Sequence, residues 1–554
     1  MLYCGLFLLV SLQPTVCFRC THAPRFLNVI SRPRAIVSMA AERGTSAADE
    51  KRPAPKLPTP AELTKFYVPC LALWMSGPLL SLVDTSAIGL SAAAGQGATQ
   101  LAALGPATTF CDGSSYLFAF LNVATTNLYA SARAAELAGG GAAGGVAPSA
   151  VVQRAAKVAS VCGLAALAIV CIFGRTLLAL YVGHAAAANA ALLGPATAYV
   201  TIRALSLPAA LVGGVLQAAL LGAQDSAAAL VATSVATGVN VVGDLLLVTW
   251  LKLGLSGAAW ATAAAQWAAT LVLVRTANRQ LLGSTGLQLL PSMRRVTRSA
   301  HSSAASASPV AEAAAEEAAV PKAALLGNRA FLKFAAPVLV LVLGKMAAFG
   351  FMTHAAASLG AVPLAAHQIA LTLYFFFLPL FEVLSQTAQS FLPRYASPPA
   401  GSDEAEWRAA SDGLAATLLR YATALAAVSA VAIGLIATSG TALITNDETL
   451  RAAVRPLAAP LAASVLLTGF VGASEGVLLA RREIPFLASV YLATSVLLPP
   501  VLLAVKRRGG PVVLVWTAFG VYQGFRAALF TARIWGPRLL RKTKEEEEEK
   551  TKAS

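Results

Sequence analysis

Charge is what this sequence has least of. Only 12% of its 554 residues are Asp, Glu, Lys or Arg, against 57% hydrophobic residues and a mean hydropathy of +0.68. That balance excludes a soluble globular protein of this length. Aromatic residues are sparse too, at 7%, and do not interleave with the basic ones, so the formal net charge of +16 does not describe a nucleic-acid surface. Cysteines are few and scattered: Cys4, Cys17, Cys20, Cys70, Cys111, Cys162 and Cys171. The single C-x-x-C, Cys17 to Cys20, lies in a segment expected to be removed, so neither a disulfide framework nor a structural metal site follows, and no cofactor is called for. Paired catalytic groups are also missing. The best candidate, "SDEAEWRAASD", lacks histidine and reads as a charged loop, so an intramembrane enzyme is the least supported function.

What is present is apolar length. Runs sufficient to cross about 30 Å of hydrocarbon fall near 66–90, 107–130, 158–182, 195–221, 227–249 and 257–279, and again near 330–352, 363–391, 414–438, 452–480, 484–505 and 511–535. The expectation is an all-α polytopic membrane protein of about twelve transmembrane helices, in two six-helix lobes at 61–282 and 328–537. Between them, 283–327 holds "SSAASASPVAEAAAEEAAVP", a low-complexity stretch without an apolar stripe, expected to be a disordered interlobe linker. The tail 538–554 ends in "KTKEEEEEK", a charge block expected to be a solvated, disordered end. Pro69, Pro78, Pro208, Pro337 and Pro379 are candidate kink points within the spans.

The N-terminus carries two addresses in series. Residues 1–17 hold a short apolar run closed by small residues, the pattern of a signal peptide. Residues 18–60 begin with Arg19, Arg25, Arg32 and Arg34 and no acidic residue before Glu42, as in an organelle transit peptide, and end in a proline-rich linker. Such a bipartite presequence resembles those of algae with complex plastids, so a plastid-envelope membrane is expected, with a secretory-pathway membrane as the alternative. Lys and Arg collect at the N-terminal flank (Lys51, Arg52, Lys56, Lys65), between the second and third spans (Arg133, Arg154, Lys157), in the linker and at the C-terminus. By the positive-inside rule both termini face the cytosol or stroma.

The halves resemble each other. "LLGAQDSAAALVATS" after the fourth span aligns with "LLARREIPFLASVYLATS" after the tenth, pairing Leu220 with Leu478 and Asp225 with Glu483. Six spans per unit is an even number, so the copies share an orientation and the expected symmetry is a parallel pseudo-two-fold repeat.

Carboxylates inside such spans are costly and mark function. Asp84 stands in "SLVDTSAIGLS" of the first span, and Asn240 and Asp244 share one face of the fifth at i, i+4. Asp84 lies nineteen residues beyond Lys65, and Asp244 nineteen beyond Asp225. Both carboxyls are therefore expected roughly 28 Å from the inner end. Together with the Asn240 amide and the Thr262 hydroxyl of the sixth span they make a candidate site for H⁺ or Na⁺. Carried across the repeat, Asn240 and Asp244 fall on Leu498 and Leu502, which confines that site to the first lobe. Lys345 and Glu475, in the seventh and tenth spans, are candidates for a substrate cavity, pairing with each other or meeting an anionic solute. Asp112 in "TFCDGSSY" reads either as the N-terminal cap of the second span or as a cavity residue. His367 and Gln368 in "AAHQIAL" read as inter-helix packing and hydrogen-bonding residues, with Gln368 also a cavity candidate.

"LVDTSAIG", "YVTIRALSLPAALVGGVLQAALLGAQDS", "NVVGD", "GLSGAAWATAAAQ", "LAAHQIAL" and "LSQTAQSFLPR", in this order over about 60–535, resemble the multidrug and toxic compound extrusion family. "CDGSSYLFAFLNVATTN" and "ASEGVLLARRE" are most similar to its plastid-type members, related to the bacterial DNA-damage-inducible branch. The resemblance implies a V-shaped pair of lobes alternating between outward-open and inward-open states. It implies an antiporter in which H⁺ or Na⁺ moving inward exports an organic solute. It also implies a cation at Asp84, Asn240 and Asp244, with Thr262 a further match. The seventh span departs from the family, with Lys345 where a Glu is common. That argues against a second cation site there and tilts the cavity toward anionic or aromatic solutes. The expected partners are that small solute and the bilayer, with the chain a monomer. A lipid-linked precursor flippase is the alternative; it would require several cavity-lining arginines.

Overall fold

A computed structural model of the chain describes residues 55–91, 97–138, 146–182, 190–283, 286–287, 328–399, 401–443 and 448–553. The presequence expectations, and nearly all of the interlobe linker, lie outside these residues. The described residues form helices and connecting turns with no strand, as expected of an apolar chain that must satisfy its backbone groups without water. The first lobe comprises α1 (Pro60–Ser91), α2 (Gly97–Tyr116), α3 (Ala119–Leu137), α4 (Pro148–Val182), α5 (Ala190–Ala204), α6 (Leu207–Gly222), α7 (Ser226–Gly243), a π-helical segment (Asp244–Trp250) and α8 (Gly254–Ala277). The second comprises α9 (Asn328–Ala357), α10 (Ala361–Phe391), α11 (Glu404–Thr438), α12 (Glu448–Val454), α13 (Ala458–Ala480), α14 (Ile484–Arg507) and α15 (Val513–Ala553).

Nine helical stretches among the described residues are long and apolar enough to cross a membrane, and the bent pair α5 and α6 makes a tenth. In chain order α1 and the pair α2 and α3 supply the other two of twelve passages. The α5–α6 bend is 50°. Pro208, the second residue of α6, has no N–H for the Ala204 carbonyl, so the helix breaks at Leu205 and Ser206.

Helix starts follow local chemistry. Thr59 and Glu62 form a reciprocal capping box around Pro60: the Thr59 N–H donates to Glu62 Oε2 at 2.8 Å and the Glu62 N–H to Thr59 Oγ1 at 3.2 Å. Asp225 caps α7, accepting from the Ala228 N–H at 2.9 Å. One expectation is corrected at the other end. α15 continues through the charged tail to Ala553, because Glu and Lys are strong helix formers and Glu546–Lys550 and Glu548–Lys552 stand in the favourable i, i+4 order.

The repeat is visible in the backbone. α6 ends with Gln224 at φ 68° and an Asp225 N–H bond to the Leu220 carbonyl at 2.9 Å. α13 ends with Arg482 at φ 59° and a Glu483 N–H bond to the Leu478 carbonyl at 2.9 Å. These are the same left-handed helix terminus, in the register that pairs Leu220 with Leu478 and Asp225 with Glu483.

Within each lobe small residues let backbones close up. A Cβ on Gly222 would stand 2.9 Å from the Thr126 carbonyl oxygen, and one on Gly476 would stand 2.5 Å from that of Ser385. Large apolar side chains such as Ile172, Val242 and Trp250 are exposed on the outer faces, where lipid takes the place of water. The lobes meet along α1, α3, α9 and α10. Tyr67 donates to the Leu380 carbonyl at 3.1 Å, Asn127 Nδ2 to Gln389 Oε1 at 2.7 Å and Gln224 Nε2 to the Ser390 carbonyl at 3.1 Å, while the Phe66 and Phe391 rings meet edge-on at 5.4 Å. Along α1, α10 and the passage made by α2 and α3, these contacts lie toward the end that carries both Pro60 and Ala553, and Gln224 lies just past the end of α6.

Candidate ion site and a balanced charge cluster

In the first lobe Asn240 and Asp244 are buried, 0% and 1% exposed, with Asn240 Nδ2 donating to Asp244 Oδ2 at 2.9 Å. The i, i+4 spacing along α7 brings the two together. Asp244 begins the π-helical segment, a local widening of the helix that recurs at functional sites. Beside it α7 and α8 are nearly in backbone contact. A Cβ on Gly243 would meet the Ala261 Cβ at 2.7 Å, so the next residues on each helix, Asp244 and Thr262, start from adjoining backbone. Thr262 is 5% exposed and donates its hydroxyl hydrogen to the Ala258 carbonyl at 2.9 Å, so its oxygen lone pairs are what it offers a ligand.

Asp84 lies on α1, and its side chain lies outside the described residues. The backbone nonetheless fixes its level. Ser226 Oγ donates to the Phe66 carbonyl at 2.9 Å, which aligns Phe66 with the first residue of α7. Eighteen residues further along each helix stand Asp84 and Asp244, both about 27 Å from that mark. α1 also packs against the π-helical segment. At the corresponding positions of the second lobe, Leu498 and Leu502 are both 3% exposed, so the same inward face there is apolar.

The second lobe instead holds a cluster of charge. Lys345 Nζ of α9 lies 2.9 Å from Glu475 Oε1 of α13 and 3.5 Å from Glu382 Oε1 of α10. Tyr491 of α14 donates its hydroxyl to Glu475 Oε2. Arg526 of α15 reaches the same oxygen at 3.9 Å, with its guanidinium 3.7 Å from the Tyr491 ring centroid and Nη1 bonded to Gln523 Oε1 at 2.9 Å. Gln523 Nε2 continues to Thr468 Oγ1 at 2.7 Å, which meets the Tyr374 hydroxyl at 2.8 Å. Two cations face two carboxylates, so the expectation that Lys345 tilts the cavity toward anions is corrected: its charge is matched. Glu382 and Arg526 escaped the sequence reading, although each stands in an apolar span, in "LPLFEVLSQ" and "YQGFRAALF", and the rule applied to Asp84 would have found them.

Asp112 is not a cap. It lies fifteen residues into α2, near its last turn, and pairs with Arg203 of α5 at 3.5 Å; the span begins at Gly97, earlier than the apolar run indicates. Gln368 is exposed on α10, apart from the charge cluster. Its neighbour His367 is fully buried, bonded to Thr353 of α9 at 3.1 Å with its ring 5.7 Å from that of Trp516. No group of His, Cys, Asp and Glu with metal-binding geometry occurs among the described residues.

No family model matches the chain. Protein DETOXIFICATION 47, chloroplastic, of Arabidopsis thaliana is 30% identical over 487 residues, covering 86% of this chain and 78% of that protein. The chain belongs to the MATE family. Protein DETOXIFICATION 43 of Arabidopsis thaliana is 40% identical over 85 residues, 15% of this chain and 16% of its own length. The fold agrees. A MOP superfamily transporter from Pyrococcus furiosus superposes with a TM-score of 0.67 at 14% identity, over 87% of this chain and 95% of its own. The Vibrio cholerae MATE transporter VcmN in its bent form gives 0.64 at 14% identity, over 86% and 98%. This MATE protein is accordingly a multi-pass membrane efflux transporter for small organic solutes and not an enzyme.

Proposed function

We propose that this MATE protein is a secondary antiporter that exports a small organic solute against inward movement of H⁺ or Na⁺, with Asp84, Asn240, Asp244 and Thr262 carrying the ion. The observation that carries the reading is the buried Asn240–Asp244 pair, with a carboxylate only 1% exposed at the level of Asp84. A carboxylate buried at that depth is costly to hold ionised. Taking up a proton or sodium ion removes that cost, so the loaded and empty lobe favour different packings. The carboxylate and amide oxygens are hard donors suited to either ion.

The interlobe bonds named above gather toward the end bearing both termini and close that side. With the termini in the cytosol or stroma the closed side faces inward, and alternation breaks the seam at Asn127–Gln389 and Tyr67–Leu380 while closing the opposite side. The basic N-terminal stretch and the chloroplastic relative support a plastid-envelope address. A fluorescent fusion to residues 1–100 tests it, secretion past the plastid being the contrary result. The flippase reading loses support, because Arg526 is 3% exposed and balanced by Glu475.

The test of coupling is transport by purified protein in liposomes under a proton or sodium gradient imposed separately. Solute movement should follow one of the two gradients and be lost in Asp84→Asn and in Asp244→Asn with folding intact. Undiminished movement in both variants would make the pair structural.

A further inference from the structure

The C-lobe cluster has an inner and an outer part. Glu475 and Arg526 are enclosed, their side chains 8% and 4% exposed, whereas Lys345 and Glu382 are 24% and 26% exposed. Glu382 stands between two interlobe contacts of α10, the Leu380 carbonyl that accepts from Tyr67 and Gln386, whose Nε2 donates to Thr126 Oγ1 at 3.3 Å. The accessible part of the cluster therefore faces the first lobe at the floor of the interlobe space. What it presents there is one ammonium and one carboxylate, side by side.

Resting on the antiporter reading, we propose that this pair selects solutes that carry a positive and a negative charge together. Lys345 has two contacts of unequal quality, 2.9 Å to Glu475 and 3.5 Å to Glu382. The shorter one, backed by the Tyr491 hydroxyl on the same carboxylate, stays closed. The longer, more exposed one opens. A zwitterion then places its carboxylate on Lys345 and its ammonium on Glu382, so each charge exchanges one partner for another and the four-charge cluster stays neutral. A solute with one charge satisfies one side and strands the other in a medium of low dielectric.

The test uses three molecules of one skeleton, L-phenylalanine, 2-phenylethylamine and 3-phenylpropanoate, at a pH where each holds its stated charge. Binding to the full-length protein in nanodiscs without any ion gradient is read by tryptophan fluorescence, so the outcome does not depend on coupling. The zwitterion should bind at least about tenfold more tightly than either singly charged analogue. In Glu382→Gln, which leaves the Lys345–Glu475 pair in place, its advantage over 3-phenylpropanoate should fall about tenfold. In Lys345→Gln its advantage over 2-phenylethylamine should fall by a similar factor. Tighter binding of either singly charged probe, binding of none, or an equal loss for all three probes in both variants would overturn the proposal. Loss of gradient-driven transport with the binding order intact would overturn the antiporter reading instead.

Discussion

Replacing Gly243 by alanine tests whether the close approach of α7 and α8 holds the ion site together. The added Cβ would stand 2.7 Å from the Ala261 Cβ and 3.1 Å from its Cα. Carbon atoms settle at about 3.5–4.0 Å, so the helices must part by about 1 Å at this level. Overpacking of this kind costs about 1–3 kcal/mol, offset in part by the roughly 1 kcal/mol that alanine gains over glycine inside a helix. The displacement falls on the residues that follow on each helix, Asp244 and Thr262. Gly238, five residues earlier on α7, is the matched control: a Cβ there meets nothing within 4 Å. The assay pairs thermal unfolding in detergent with ion-gradient-driven transport in liposomes. Gly238→Ala should melt at or slightly above the parent temperature and transport normally. Gly243→Ala should melt lower and lose coupling more than stability alone accounts for. If the two variants behave alike, the close approach has no part in the site.

Glu475→Gln should cost about 3–5 kcal/mol, because it leaves Lys345 and Arg526 with only Glu382 to balance them; the melting temperature in detergent should drop, and an added Arg526→Gln should recover part of it by restoring neutrality. Gln389→Leu removes the bond from Asn127 across the seam at about 1–3 kcal/mol for the donor it strands. That loss falls only on the seam-closed state, so spin-label distances across the lobes should move toward the alternative conformation, and an unchanged distribution would count against the seam. At the start of α1, the Thr59 backbone N–H and then its hydroxyl hold the Glu62 carboxyl below its ordinary value. A depressed carboxylate contributes above its unfolded range and is lost as pH falls through the lowered one, so the amide protection factors at the first turn of α1, corrected for the intrinsic pH dependence of exchange, should fall on acidification in the parent and not in Glu62→Gln.

The architecture was legible because lipid imposes simple demands: apolar runs long enough to span, basic flanks, and carboxylates that stand out inside them. The repeat register was legible to the residue, since the left-handed turns at Gln224 and Arg482 fall where the paired segments put them. The depth comparison of Asp84 and Asp244 rested on Lys65 and Asp225 as end marks. Although α1 begins five residues earlier, at Pro60, the Ser226–Phe66 bond supports the same offset. What was not legible depends on which faces meet. The pairing of Asp112 with Arg203 joins helices whose relative rotation no local pattern fixes, and its place on α2 was hidden because the small, weakly apolar residues at 97–106 do not announce a helix start. The balance of the Lys345 cluster needed Glu382 and Arg526, two charges whose partners lie on other helices. The π-helical widening at Asp244 has no periodicity signal, because a single such turn displaces the apolar pattern by only one residue.

The most direct test of the N-lobe site reverses the coupling. A downhill solute gradient is imposed on liposomes holding the purified protein with no ion gradient, and ion movement is recorded with a pH dye and a sodium dye. The parent protein should move one of the two ions in the direction opposite to the solute. Asp244→Asn should bind solute and move no ion, while Lys345→Gln should alter solute preference and leave coupling in place. Ion movement that persists in Asp244→Asn and disappears with Lys345→Gln or Glu475→Gln would put the coupling in the second lobe and contradict the assignment to Asp84, Asn240 and Asp244.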